Sequence, residues 1–261
     1  MRRGRVIAGG RLEHVTCEQG RAVTGSGRSF DAREVTWLPP IEPGTILALA
    51  LNYGDHATEL NLARPEQPAL FPKFRNALLG HLGDIVMPHG VEYMHYETEL
   101  AVIIGRPARR VGAAKALDYV KGYTIANDLV VRDFVIDHFR PPIKPKNFDT
   151  FLPLGPCWVE AAEIGDPQNL DIKTFVKGEL RQHGNTRDMI HSVAEIIEYI
   201  SEFMTLQEND MILTGTPQGI SRTNPGDVIR CEIEGIGTLE NTVVQEVLDR
   251  GGGAAPKGAR R

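Results

Sequence analysis

The segment His95-Tyr96-Glu97-Thr98-Glu99 sets two carboxylates two residues apart at the mouth of the apolar run 100–104. Side chains alternate faces along a strand, so Glu97 and Glu99 point the same way. Two ionised carboxylates crowded beside an apolar core repel each other and lose hydration unless a cation lies between them. These residue types suit a hard divalent ion, Mg²⁺ or Mn²⁺, with coordination positions left open for a substrate. Asp128 ends the next apolar stretch, 122–128, and closes an all-oxygen triad if the two stretches are neighbouring strands. The plainer alternatives are an exposed edge strand with both glutamates in water and, for Asp128, a turn favoured by the Asn127-Asp128 pair.

A second constellation is shorter. In the polar segment 52–60, Asp55 can cap a turn or two of helix, which places His56 and Glu59 three apart on one face. A carboxylate that accepts from one ring nitrogen fixes the tautomer and leaves the other nitrogen as a general base. Such a pair on a loop could close over a bound substrate; the alternative is an ordinary surface histidine. Lys73, Arg132, Arg140 and Lys146 are by default solvated charges, or else they hold substrate carboxylates, arginine through its planar fork. The loop Leu213-Thr-Gly-Thr-Pro-Gln-Gly219 could offer backbone N–H groups and the Thr216 hydroxyl to an oxyanion. It lacks the lysine of a phosphate loop, which argues against nucleotide binding.

Elements that would position these groups are mostly strands. Continuous apolar runs predict strands at 45–51, 100–104, 123–126, 211–214, 228–233 and 243–247, the first covered on both faces. One long helix is expected over 191–204, with Val193, Ile196, Ile197, Ile200, Phe203 and Met204 forming an apolar stripe and Ser192 with Glu195 a capping box. Glycine-broken pieces over 1–42 read as a small N-terminal β module ended by Pro39-Pro40, and 43–249 as the main domain. Prolines 141, 142 and 145 mark a rigid loop, and 250–261 reads as a disordered tail. Many strands with few helices between them predict a β-rich α+β fold and not a doubly wound sheet.

The totals exclude several classes. The chain has 261 residues, 41% hydrophobic and 24% charged, with a net charge of −5 that gives no broad attraction to nucleic acid. Cys17, Cys157 and Cys231 are scattered and odd in number, which argues against a disulfide framework and for a reducing cytoplasm. No apolar run approaches the roughly 20 residues of a membrane helix, and Met1-Arg-Arg-Gly-Arg5 is not followed by the core of a secretion signal. Small-molecule partners are the expectation.

Taken together, the motifs resemble the fumarylacetoacetate hydrolase family from about residue 46 to 247. The resemblance runs through Asn52-Tyr53-Gly-Asp-His56-Ala-Thr-Glu59, then Glu97-Thr-Glu99-Leu100, then Asn127-Asp128 with Arg132-Asp133. It continues in Lys146 before Phe148-Asp149, Gly178 to Gln182 with Asn185-Thr186, and Thr214-Gly-Thr-Pro217. It implies a mixed β-roll with few helices, Glu97, Glu99 and Asp128 as Mg²⁺ ligands, and His56 with Glu59 as a lid dyad. Lys146 would be catalytic, and Arg132, Gln182 and Thr216 would contact substrate. Stretches such as Val91 to Glu97 and Tyr199 to Leu206 resemble the members that decarboxylate and isomerise a 2-oxo-3-ene dicarboxylate in homoprotocatechuate breakdown. A homodimer, or pairing with a homologous second subunit, is implied because some such enzymes carry two homologous halves. The alternatives are a C–C hydrolase of acylpyruvate type and an oxaloacetate decarboxylase. Acylpyruvate-cleaving members often carry a glutamine three residues past the arginine, where this chain has Val135.

Overall fold

The computed structural model describes residues 1–18, 20–135 and 141–248. Arg140 and the tail from 250 to 261, both singled out above, lie outside the described residues. The architecture is the expected β-rich α+β one, built on two large sheets. Ten strands of the main sheet run in the order Ser29–Asp31, Arg21–Thr24, Arg11–Glu18, Arg3–Ala8, Cys157–Glu160, Val120–Asn127, Thr98–Ile104, Met211–Leu213, Ile46–Ala50 and Ala69–Lys73. Thr36–Leu38 adds to Arg3–Ala8. Neighbours are antiparallel except Met211–Leu213 with Ile46–Ala50. A second sheet orders Glu179–Asn185, Asp171–Val176, Val228–Ile233, Gly237–Gln245 and Asp84–Met87.

Thr98–Ile104 is buried at every position, because it is central in the main sheet and covered on both faces. Its uninterrupted run Leu100-Ala-Val-Ile-Ile104 reflects that double burial. The large core gathers around it, with Ile125, Leu129, Phe151, Ile196, Ile200 and Leu213 all fully or almost fully buried. A separate small core of Val6, Val15, Ala22 and Trp37 lies under the N-terminal strands, which join the main sheet where Arg3 pairs with Trp158.

Three expectations need correction. The helix spans Val193–Phe203 with its capping box in place, but Phe203 is 57% exposed: it stacks edge-on against Tyr199 in the last turn, outside the buried stripe. Cys17 and Cys157 form a disulfide across 140 residues, with Cα atoms 6.6 Å apart, because their strands flank Arg3–Ala8 on either side. The hairpin Asp171–Val176/Glu179–Asn185 was absent from the expected strands; its outer strand is mostly exposed and polar. Its signal is the turn, where Lys177 and Gly178 take φ of 53° and 80°, the two positive values a tight hairpin requires.

Candidate active site

Register builds the acidic cluster. Thr98 pairs with Asn127 across the antiparallel strands, so Glu97 and Asp128, one residue beyond on each side, share one end of the ladder. The Asp128 N–H donates to the Glu97 carbonyl at 2.8 Å, and the Asn127 side chain accepts from the Glu97 N–H at 3.0 Å. Glu99 follows on the same face as Glu97. One carboxylate oxygen from each of the three acids lies within 4.8 Å of the others, and Glu99 and Asp128 have no exposed surface.

The electrostatics of this cluster demand cations. Burial, then the charges of Asp128 and Glu97, push the Glu99 carboxyl well above the usual carboxylate range. Lys146 answers part of that charge, with Nζ 2.5 Å from Glu97 Oε2 and 2.8 Å from Asp128 Oδ2. Burial works against its charged form, but Asp128, Glu97 and Glu99 outweigh it and hold the ammonium above the ordinary lysine value. Glu99 Oε2 accepts from the Gly215 N–H at 2.6 Å, Asp128 Oδ1 pairs with Lys73 Nζ at 2.7 Å, and Glu99 Oε1 has no hydrogen-bond partner among the described residues. A buried carboxylate oxygen without a donor, in a cluster of three acids whose oxygens approach one another, is what an oxygen-liganded cation needs. The residues present therefore fit a divalent metal ion.

His56 stands across from this cluster. Leu51, in the left-handed region at φ 58°, ends the strand Ile46–Ala50 and turns the chain into the short helix Gly54–Glu59. Tyr53 occupies the N-cap position without a side-chain hydrogen bond, and Asp55 sits in the first turn instead of capping the helix as expected. His56 Nδ1 is 2.9 Å from Glu59 Oε2. An ionised carboxylate only accepts, so the proton is on Nδ1 and Nε2 is left as an acceptor. Glu59 Oε1 accepts from the Gly219 N–H at 3.0 Å, tying the helix to the loop opposite.

A cavity of roughly 150 Å³ brings Glu97, Lys146, His56, Arg132 and Thr216 onto one surface, with Leu49, Leu60, Leu62, Phe71, Val130 and Val135 as apolar walls. A larger open cleft of about 650 Å³ lies near Trp158 and the N-terminal strands, and no candidate catalytic residue lines it.

Gln182 and Lys73 lie behind this surface. Gln182 is fully buried; its Nε2 donates to Thr216 Oγ1 at 2.9 Å and to the Pro217 carbonyl at 2.7 Å, and its Oε1 accepts from Thr174. The Thr216 hydroxyl in turn donates to the Thr98 carbonyl at 2.9 Å. The loop amides expected to face an oxyanion are already committed: those of Gly215 and Gly219 go to Glu99 and Glu59, because acidic side chains reach them first. The sequence reading gave His95 no role, yet it is fully buried with Nδ1 3.7 Å from Glu97 Oε1 and Nε2 without a partner. Burial and the nearby Lys146 hold its ring well below the usual histidine value, in the neutral form. Its position two residues before Glu97, at the end of the short strand Met94–His95, was the available signal.

Residues 45–244 match the family profile described as fumarylacetoacetate (FAA) hydrolase C-terminal. The chain belongs to the fumarylacetoacetate hydrolase family. Among family relatives, the 4-hydroxyphenylacetate degradation bifunctional isomerase/decarboxylase of Salmonella dublin is 48% identical over 216 residues, covering 82% of this chain and 50% of that protein. The chain thus spans about half the length of that relative. Two solved family structures extend over nearly the whole fold. The 5-carboxymethyl-2-hydroxymuconate delta-isomerase of Mycobacterium smegmatis has a TM-score of 0.83 at 36% identity, covering 95% of this chain and 100% of that one. The 2-hydroxyhepta-2,4-diene-1,7-dioate isomerase of Mycobacterium marinum gives 0.82 at 36% identity, with 94% and 99% covered. No helix among the described residues is long and apolar enough to cross a membrane.

Proposed function

We propose that this chain is a Mg²⁺-dependent decarboxylase/isomerase of a 2-oxo-3-ene dicarboxylate in the breakdown of homoprotocatechuate-type aromatic acids. The observation that carries the reading is one cavity lined by Glu97, Lys146 and a histidine held by its own carboxylate, with Glu99 and Asp128 clustered on Glu97 from behind. The similarity to proteins named isomerase and isomerase/decarboxylase supports it. In this reading 43–249 is the catalytic unit, 1–42 an N-terminal module, and the working form a homodimer or a pair with a homologous subunit.

Glu97, Glu99 and Asp128 would hold Mg²⁺, or Mn²⁺ in its place, and the ion would supply Lewis-acid polarisation of a 2-oxo acid. Lys146 adds fixed positive charge where negative charge develops on the substrate oxygen. Arg132 presents a guanidinium to the remote carboxylate. A carboxyl group that leaves as CO₂ deposits its electron pair in the conjugated chain, and a proton from protonated His56 Nε2 restores a C–H bond. Isomerisation uses the same nitrogen first as base and then as acid, with Glu59 stabilising the imidazolium. The apolar walls keep water from competing for that proton transfer.

An NMR time course with 5-oxopent-3-ene-1,2,5-tricarboxylate and Mg²⁺ tests the reading. CO₂ with a single organic product is the expected result. Pyruvate plus a second acid would replace the reading with a C–C hydrolase, and no turnover would overturn it.

A further inference from the structure

Lys73 ends the strand Ala69–Lys73, with its side chain wholly shielded from solvent. A lysine beside three acids invites the role of substrate anchor, but its surroundings point elsewhere. Nζ donates to the Lys146 carbonyl and, at 3.0 Å, to the Phe151 carbonyl. It also pairs with Asp128 Oδ1 at 2.7 Å. An ammonium has three protons, and here three protein acceptors surround it. Lys73 does not line the cavity onto which Lys146, His56 and Arg132 open.

We propose that Lys73 is a positioning residue that braces Asp128 and the Lys146 backbone from behind, fixing the third ligand of the metal site without meeting the substrate. The inference rests on the metal-site reading above. Lys73 and Lys146 grip opposite oxygens of one carboxylate, so Asp128 is held from two directions. Because Lys73 also takes the carbonyl of Lys146, the two lysines are placed by one set of contacts.

The test is Mn²⁺ affinity, measured without substrate by electron paramagnetic resonance and calorimetry, for the wild-type chain, Lys73→Met, Asp128→Asn and the double variant. Loss of a partner that orients a ligand weakens metal binding by about 10–100-fold, the result expected for Lys73→Met. On the Asp128→Asn background the same change should cost less than about twofold, because its effect passes through Asp128. A substrate anchor predicts unchanged Mn²⁺ affinity, and simple removal of a repelling cation predicts tighter binding; either outcome overturns the proposal. So does an equal loss on the Asp128→Asn background. Lys73→Gln keeps an N–H donor for the carbonyls and carries the same comparison if the methionine variant does not fold. Failure of the wild-type chain to bind Mn²⁺ would instead remove the metal site itself.

Discussion

Glu99→Gln should make the metal-free protein more stable while abolishing its response to metal. Glu99 has no exposed surface, and its two close charged neighbours of like sign, Asp128 and Glu97, raise the cost of ionising it. At the 4.8 Å bound on ligand-atom separation, one carboxylate pair repels by roughly 3–4 kcal/mol in an effective dielectric of about 20. Lys146 lies on the two other acids and offsets part of this, leaving about 1–3 kcal/mol to be relieved by a neutral side chain of the same shape. Glutamine keeps an oxygen for the Gly215 N–H and turns its NH₂ toward the unpartnered side. For a chain of this size that gain raises the melting temperature by roughly 2–10 °C. Scanning calorimetry in EDTA reads it directly. With Mn²⁺ at 100 times its dissociation constant the wild type should gain about 2.7 kcal/mol and the variant almost nothing. A variant that melts below the wild type in EDTA and gains equally from Mn²⁺ would refute both the repulsion argument and the ligand assignment.

Two further outcomes follow from the geometry. His56→Ala should lower the rate of proton relocation by about 100-fold or more while leaving the Mn²⁺ dissociation constant within about twofold, as calorimetry and solvent-deuterium incorporation would show; a weakened metal site with an unchanged rate reverses the roles. His81 gives a pH dependence: burial lowers its pKa to about 4, and its Nδ1 accepts from the Glu240 N–H at 3.0 Å, so the fold needs the neutral ring. The unfolded chain binds this proton from about pH 6.5 downward and the folded chain only near 4. Stability therefore falls with pH across that window by up to about 1.4 kcal/mol per unit. Melting curves of His81→Gln, which retains an acceptor, should be flatter between pH 6.5 and 4.5; an unchanged slope counts against the assignment.

Much of the site was legible because strand geometry is simple. Alternation put Glu97 and Glu99 on one face, and an antiparallel neighbour ending in Asn127-Asp128 was enough to bring the third acid to them. The His56–Glu59 contact followed from helical spacing alone. What stayed hidden depends on contacts distant in sequence. Lys73 and Lys146 are 73 residues apart, and nothing local distinguishes an ammonium that faces a cavity from one that braces its wall. Gln182 and Thr216 form a buried relay joined across two sheets. The pairing of Cys17 with Cys157 needed the strand order, and the strand Glu179–Asn185 is too polar to announce itself except by its turn.

The two oxygens of Glu59 have different duties, one serving the imidazole and the other fastening its helix to Gly219. The hold on the ring and the hold on the facing loop therefore stand or fall together: under the proposed function, an outward swing of Gly54–Glu59 would break the Gly219 contact and carry His56 away from the acids in the same movement.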